Sequence, residues 1–269
     1  MPSESGAGLA LITPDWPAPP GVGSLMSTRS SGEGEVAGSG RGLNVGAFVG
    51  DDPAAVRENR RRISAAAGVP LVWLRQVHGN DVVRVGRCDA EGHPEPLTAD
   101  AAWTDEPGVA CAVQVADCLP VLFTTRDGRA VAAAHAGWRG LAAGVLERTL
   151  AALGEGAGAE AGEVLAWLGP CIGPRRFEVG LDVLQAFGAS AREPGPWFVA
   201  RPRPDGSPRW LADLQALARS RLAAAGVVQV STLPECTVEA AARFHSFRRD
   251  GAASGRMVAA VWRQAGGRG

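Results

Sequence analysis

Two apolar runs, 119–125 and 130–135, flank Arg126-Asp127-Gly128-Arg129, and no other pattern restricts the fold as tightly. Asp-Gly between such runs is a strong hairpin signal, with Asp127 and Gly128 expected as the two loop residues. Counting outward from Arg126 opposite Arg129 places His135 opposite Pro120 and Cys118 two residues further along the same face. Diagonal neighbours on one hairpin face have Cα atoms about 7 to 8 Å apart, so a Cys and a His there can converge on one ion. A slip of one residue would send one of the two side chains to the opposite face.

Further short apolar runs at 71–77, 81–85, 109–115, 164–168, 227–231 and 257–262 read as strands bounded by Gly, Asn and Asp turns. Asp52-Pro53 reads as an N-cap followed by proline in the first turn, opening a helix through Val56 and Ile63 to a stop at Gly68. From Gly137 the spacing becomes helical, with Leu141, Val145, Leu146, Thr149, Leu150 and Leu153 on one side and Gly154 as the stop. A second helix is expected over 210–225. This mixture predicts an α/β (α+β) class with mixed β-sheets flanked by helices. One layered catalytic domain spans 24–264, between an irregular Pro-, Gly- and Ser-rich segment at 1–23 and a frayed end at 265–269.

Composition excludes several functions. With 27 basic against 28 acidic residues the chain has no broad positive field, so nucleic acid is not an expected partner. Every basic residue is arginine, which removes lysine Schiff-base chemistry. Gln114 and Asp117 interrupt the most apolar stretch, 109–123, so no membrane span is expected. Glu4, Asp15 and several prolines spoil the N-terminus as a signal peptide, so the cytoplasm is the expected location; a monomer is expected, though no sequence feature fixes the oligomeric state. The five cysteines lack the paired spacing of a disulfide framework or a CxxC knuckle.

His78 stands in Gln76-Val77-His78-Gly79-Asn80, at a strand end where a turn can aim a ligand. Two imidazoles and a thiolate suit zinc, and catalytic zinc sites use three protein ligands plus an open position. A lone Cys in an apolar strand is ordinarily a small buried hydrophobe, and a lone His at a strand end a hydrogen-bonded core residue. Spacing alone leaves both readings open.

The segments QVHGND (76–81), TADAAWTD (98–105), ADCLP (116–120), HAGWRG (135–140), GPCIG (169–173) and FRRDG (247–251) resemble the YfiH-type family. That family is also called multicopper polyphenol oxidoreductase or laccase domain, peptidoglycan editing factor, and purine nucleoside phosphorylase. The likeness runs over 27–262, including Ser27-Thr28-Arg29 and Leu43-Asn44-Val45-Gly46. It departs at Phe247, where the family often has tyrosine, and at His245, where an aromatic is usual.

The resemblance implies a zinc held by His78, Cys118 and His135, and a layered fold similar to a Cys-His toxin deamidase. It also implies phosphorolysis of adenosine, inosine and methylthioadenosine, with adenosine deamination as a second reaction. Purine nucleosides and phosphate would be the partners. On this reading Cys118, His135 and Arg139 are the catalytic candidates, Arg139 lying in the first turn of a helix whose N-terminus suits an anion. Arg29, Asn44, Gln76, Asp117 and Arg248 are the candidates for substrate or phosphate contacts, and the sequence does not tell Arg248 from Arg249. For each arginine the plain alternative is a solvated charge, and for Asp117 a turn-initiating carboxylate.

Three rivals remain. Cys118 activated by His135 would make a Cys-His hydrolase suited to peptidoglycan-precursor editing. A copper-dependent polyphenol oxidase needs many histidines, and the chain has four. A non-enzymatic interaction protein would keep a saturated, structural metal.

Overall fold

The structure is a computed structural model that describes residues 9–30, 41–90 and 96–265. Two mixed sheets lie face to face, each covered by helix on its outer side, giving the expected α/β class. The five-stranded sheet runs in the order Leu11–Ile12, Val22–Ser27, Met257–Arg263, Ala110–Val115, Leu71–Trp73. The six-stranded sheet runs Gln229–Thr232, Val164–Leu168, Leu119–Thr125, Val131–Ala136, Ala101–Thr104, Val82–Arg84.

Period-two alternation sorts the side chains into layers. In the central hairpin Leu119, Val121, Phe123, Ala132, Ala134 and Ala136 face the helices Val145–Ala157 and Leu214–Ala224. Leu122, Val131 and Ala133 face the other way, onto Val113, Met257 and Ala259 of the five-stranded sheet. The outer face of that sheet packs Ala112, Val258 and Ala260 against Ile63 of the helix Pro53–Ala67. The hairpin register is the one counted from the sequence, with Pro120 opposite His135, but the turn is not the expected Asp127-Gly128 pair: the Gly128 N–H donates to the Thr125 carbonyl at 2.9 Å, centring the turn on Arg126-Asp127, and Gly128 alone of the two takes positive φ.

The helix Pro53–Ala67 forms between its expected signals: the Asp52 carboxylate accepts from the Ala54 N–H, and Gly68 ends it at φ 71°. The helix expected from Gly137 is broken in two. Trp138–Ala142 stops where Gly144 takes φ 90°, and Val145–Ala157 passes Gly154 to end at Gly158.

The expected helix 210–225 loses its first turn. Trp210–Ala212 is a strand paired on both edges, with Glu178–Val179 and Phe198–Ala200, and Asp213 then caps Leu214–Ala224 by accepting from the Ala216 N–H. Tertiary pairing wins there because three apolar residues carry no period that distinguishes strand from helix. The strand expected over 71–77 ends at Trp73. Beyond it the Gln76 amide takes over the ladder, donating to the Gln114 carbonyl at 2.8 Å and accepting from its N–H at 2.7 Å. Within the segment expected to be irregular, Leu11–Ile12 pairs with Ser27 and Met26 as a sheet edge. Residues 1–8 and 266–269 lie outside the described residues. No helix among the described residues is long and apolar enough to cross a membrane.

Candidate metal centre and its cleft

Two of the three candidate ligands lie where the chain leaves one sheet for the other. His78 follows the strand Leu71–Trp73 of the first sheet and precedes Val82–Arg84 of the second; Cys118 lies between Ala110–Val115 and Leu119–Thr125. His135 is in the strand Val131–Ala136, on the face between the sheets. One ligand atom from each of the three falls within 4.8 Å of the others. Cys118 Sγ is 3.8 Å from His78 Nε2, and the two imidazoles meet edge to face at 4.8 Å between centroids. The arrangement can hold a metal ion.

The backbone is strained at this point. His78, at φ 58°, and Asp117, at φ 84°, are the two non-glycine residues with positive φ among those described, a conformation that persists only when its surroundings enforce it. At His78 the enforcement comes from Asp100. Its fully buried carboxylate accepts from the N–H groups of Val77 (3.1 Å), His78 (2.9 Å) and Gly79 (2.7 Å). It also binds His135 Nδ1 at 2.8 Å, which leaves His135 Nε2 for the centre. Sequence reasoning missed Asp100 as a site residue; its one signal is a lone carboxylate in the apolar run of TADAAWTD.

Burial opposes ionisation of Asp100, yet the His135 bond and the Gly79 and Val77 donors outweigh it and hold the carboxyl below its ordinary value. Burial likewise opposes a Cys118 thiolate, but His135 and His78 bring the thiol down. His135 is raised despite its own burial, by the thiolate and by Asp100. Each charge in this buried pair favours the other.

The glycines of HAGWRG make room for the ligands. A Cβ on Gly137 would come within 3.0 Å of both Cys118 Sγ and His78 Cδ2, and one on Gly140 within 2.5 Å of the Gly79 carbonyl oxygen.

His78, Cys118 and His135 line a cleft of about 400 Å3. Phe48 (81% exposed) and Phe247 (53% exposed) stand in its walls, with Trp138 and Phe177. Arg75, Arg248 and Arg256 line it as well. Arg75 and Arg256 carry no distinguishing signal in the sequence. The guanidinium of Arg248 lies 5.7 Å from the Phe177 ring and donates to the Arg176 and Glu178 carbonyls. Arg249 is committed to the Thr237, Val238 and Phe244 carbonyls, so Arg248 is the one facing the cleft.

Gln76 and Asp117 line the cleft but spend their polar atoms internally. Both Asp117 carboxylate oxygens are occupied, by the Thr237 hydroxyl at 2.5 Å and the Arg248 N–H at 2.6 Å. Three candidates lie outside the lining. Asn44 is fully buried and holds the Gly46 and Arg256 N–H groups through Oδ1. Arg29 donates to the Ala241 carbonyl. Arg139 is exposed, with its guanidinium 4.4 Å from the Trp138 ring, and its helix of five residues carries the dipole of little more than one turn. His245 is buried and pushed down to about 4, by desolvation first and by Arg29 next, so it is a neutral core residue.

With its His-Cys-His group at the meeting of the two larger of three sheets, this chain belongs to the YfiH-type family, whose model, described as multi-copper polyphenol oxidoreductase laccase, matches residues 24–264. The chain is 48% identical over 256 residues to the purine nucleoside phosphorylase PA4543 of Pseudomonas aeruginosa, covering 95% of this chain and 99% of that protein. It is 45% identical to the purine nucleoside phosphorylase YfiH of Escherichia coli, over 94% and 98% of the two chains. Among solved structures, Neisseria meningitidis protein NMB0706 is similar with a TM-score of 0.83 at 45% identity, covering 95% of this chain and 99% of that one. YlmD from Geobacillus stearothermophilus follows with 0.80 at 31% identity, covering 91% and 93%.

Proposed function

We propose that the chain is a zinc-dependent purine nucleoside phosphorylase acting on adenosine, inosine and methylthioadenosine, with adenosine deamination as a second reaction at the same centre. The observation that carries this reading is the convergence of His78, Cys118 and His135 in a cleft walled by aromatic rings and lined by three arginines. The names of the relatives support the activity.

The donor set fits zinc: two imidazoles and a thiolate, with one imidazole oriented from behind by a carboxylate, as metal-bound histidines commonly are. An ion held by these residues supplies Lewis acidity to an oxygen or a base atom in the cleft. The soft thiolate also suits copper, but four histidines are too few for a multicopper oxidase. Elemental analysis of the purified protein separates the two metals.

In phosphorolysis a phosphate oxygen bonds to the ribose anomeric carbon as the bond to the base nitrogen breaks, giving free base and ribose 1-phosphate. Guanidinium groups match phosphate oxygens in charge and geometry, which makes Arg75, Arg248 and Arg256 the phosphate-binding candidates. The rings of Phe48, Phe177 and Phe247 offer flat apolar faces to a purine. Arg29, Asn44 and Arg139 stand outside this proposal because none of them lines the cleft. The test incubates zinc-loaded protein with inosine or adenosine, with and without phosphate. Free base and ribose 1-phosphate are expected only with phosphate, and unchanged nucleoside in folded, zinc-loaded samples would sink the reading.

One observation favours a second reading. The order Asp100, His135, Cys118 is that of a charge-oriented Cys-His nucleophile. A hydrolase of that kind keeps its activity after chelation and loses it to a thiol reagent. The phosphorylase loses activity to the chelator.

A further inference from the structure

We propose that Cys171 and Cys236 form a reversible intramolecular disulfide, made by thiol–disulfide exchange with a low-molecular-weight disulfide such as oxidised glutathione. The two residues are partners in a parallel β-bridge. The Cys171 N–H donates to the Glu235 carbonyl at 3.3 Å and the Thr237 N–H to the Cys171 carbonyl at 3.0 Å. Neighbouring strands lie about 4.7–4.9 Å apart, inside the roughly 4.4–6.8 Å between Cα atoms that a disulfide spans. Paired residues on adjacent strands also present their side chains to the same face.

Both cysteines line a second cleft, of about 270 Å3, that holds Arg175, Gln215 and Glu239 as well. Cys236 is partly exposed and its sulfur accepts from the Gly173 N–H at 3.2 Å. Cys171 is buried. This division assigns the roles. The Cys236 thiolate attacks one sulfur of the small disulfide and expels a small thiolate, giving a mixed disulfide. The Cys171 sulfur then displaces the second small thiolate and gives up its proton to water. Two protein thiols are oxidised and one small disulfide is reduced to two thiols, so electrons and atoms balance.

The bond would join two segments that already clamp the residue before Cys118. The Ile172 N–H donates to the Asp117 carbonyl at 2.9 Å, and the Thr237 hydroxyl to its carboxylate. Oxidation therefore stiffens the back of the metal centre without touching its ligands.

The full-length protein is incubated with oxidised glutathione, alkylated, digested and mapped by mass spectrometry. A peptide pair linked through Cys171 and Cys236, lost again on reduction with dithiothreitol, is the expected result, together with a rise in Tm of about 5–10 °C. The Cys171→Ala variant should stop at a glutathione adduct on Cys236. Alkylation of both cysteines after oxidation, or an adduct persisting on Cys236 in the unsubstituted protein, would overturn the proposal. That peptide map decides the matter even if a variant fails to fold.

Discussion

Asp100 reaches no solvent, and both of its oxygens are filled by the Val77, His78 and Gly79 N–H groups and by His135 Nδ1. It holds one candidate ligand, His135, through its ring and another, His78, through its backbone. An amide in place of this carboxylate would turn an N–H toward donors, so Asp100→Asn should weaken zinc binding about 10- to 100-fold and destabilise the metal-free fold by about 1–3 kcal/mol. Competition with a chromophoric chelator measures the first effect, and unchanged affinity would refute the role given to Asp100. Cys118→Ala should lose metal and turnover together; full zinc occupancy in that variant would contradict its place as a ligand. Protons compete for the thiolate and both imidazoles, so zinc occupancy should fall as pH falls, readable by dialysis at stepped pH.

At the scale of elements, the hairpin turn is both the clearest local signal and a titratable device. Burial works against the Asp127 carboxylate, but Thr125 and Arg129 bring it down to about 2. Its folded value lies below the ordinary carboxylate value of about 3.9. The stabilisation is therefore present above that value and lost as pH falls toward 2. The side chain is half exposed, so the effect stays under about 1 kcal/mol. Asp127→Asn should flatten the acid limb of the stability curve by that amount, and an identical limb would remove the turn as its source. Gly144 breaks the helix at φ 90°, and a Cβ added there would meet nothing closer than 3.5 Å, so Gly144→Ala tests conformation alone. It should cost about 1–2 kcal/mol through left-handed strain, seen as a lower Tm. The place of the turn and the Asp52 and Gly68 caps were legible because they act within four residues of themselves, although the turn itself centres on Arg126-Asp127 and not on Asp127-Gly128. Trp210–Ala212 was not, because its partners lie elsewhere in the chain.

Over the whole molecule, two of the three candidate ligands, His78 and Cys118, lie where the chain crosses between sheets, while His135 belongs to a strand of the second sheet, so an ion bound there would tie the two sheets together. Zinc at about 100 times its Kd should stabilise the fold by about 2.7 kcal/mol, an increase in Tm of roughly 5–10 °C for a chain of this size, reversed by a chelator. A Tm indifferent to zinc would argue against a site shared by both sheets. The sequence by itself determined the hairpin register, the capped helix and the common face of Cys118 and His135, since turn chemistry and period-two alternation are properties of neighbouring residues. Only the tertiary structure decided that Asp100 sits behind His135 and that Arg248 rather than Arg249 faces the cleft. It also decided that Arg75 and Arg256 join Arg248 while Asn44 is spent inside the fold. Those placements follow from packing two sheets whose strands are distant in sequence, and no local period encodes which side chains that packing brings together.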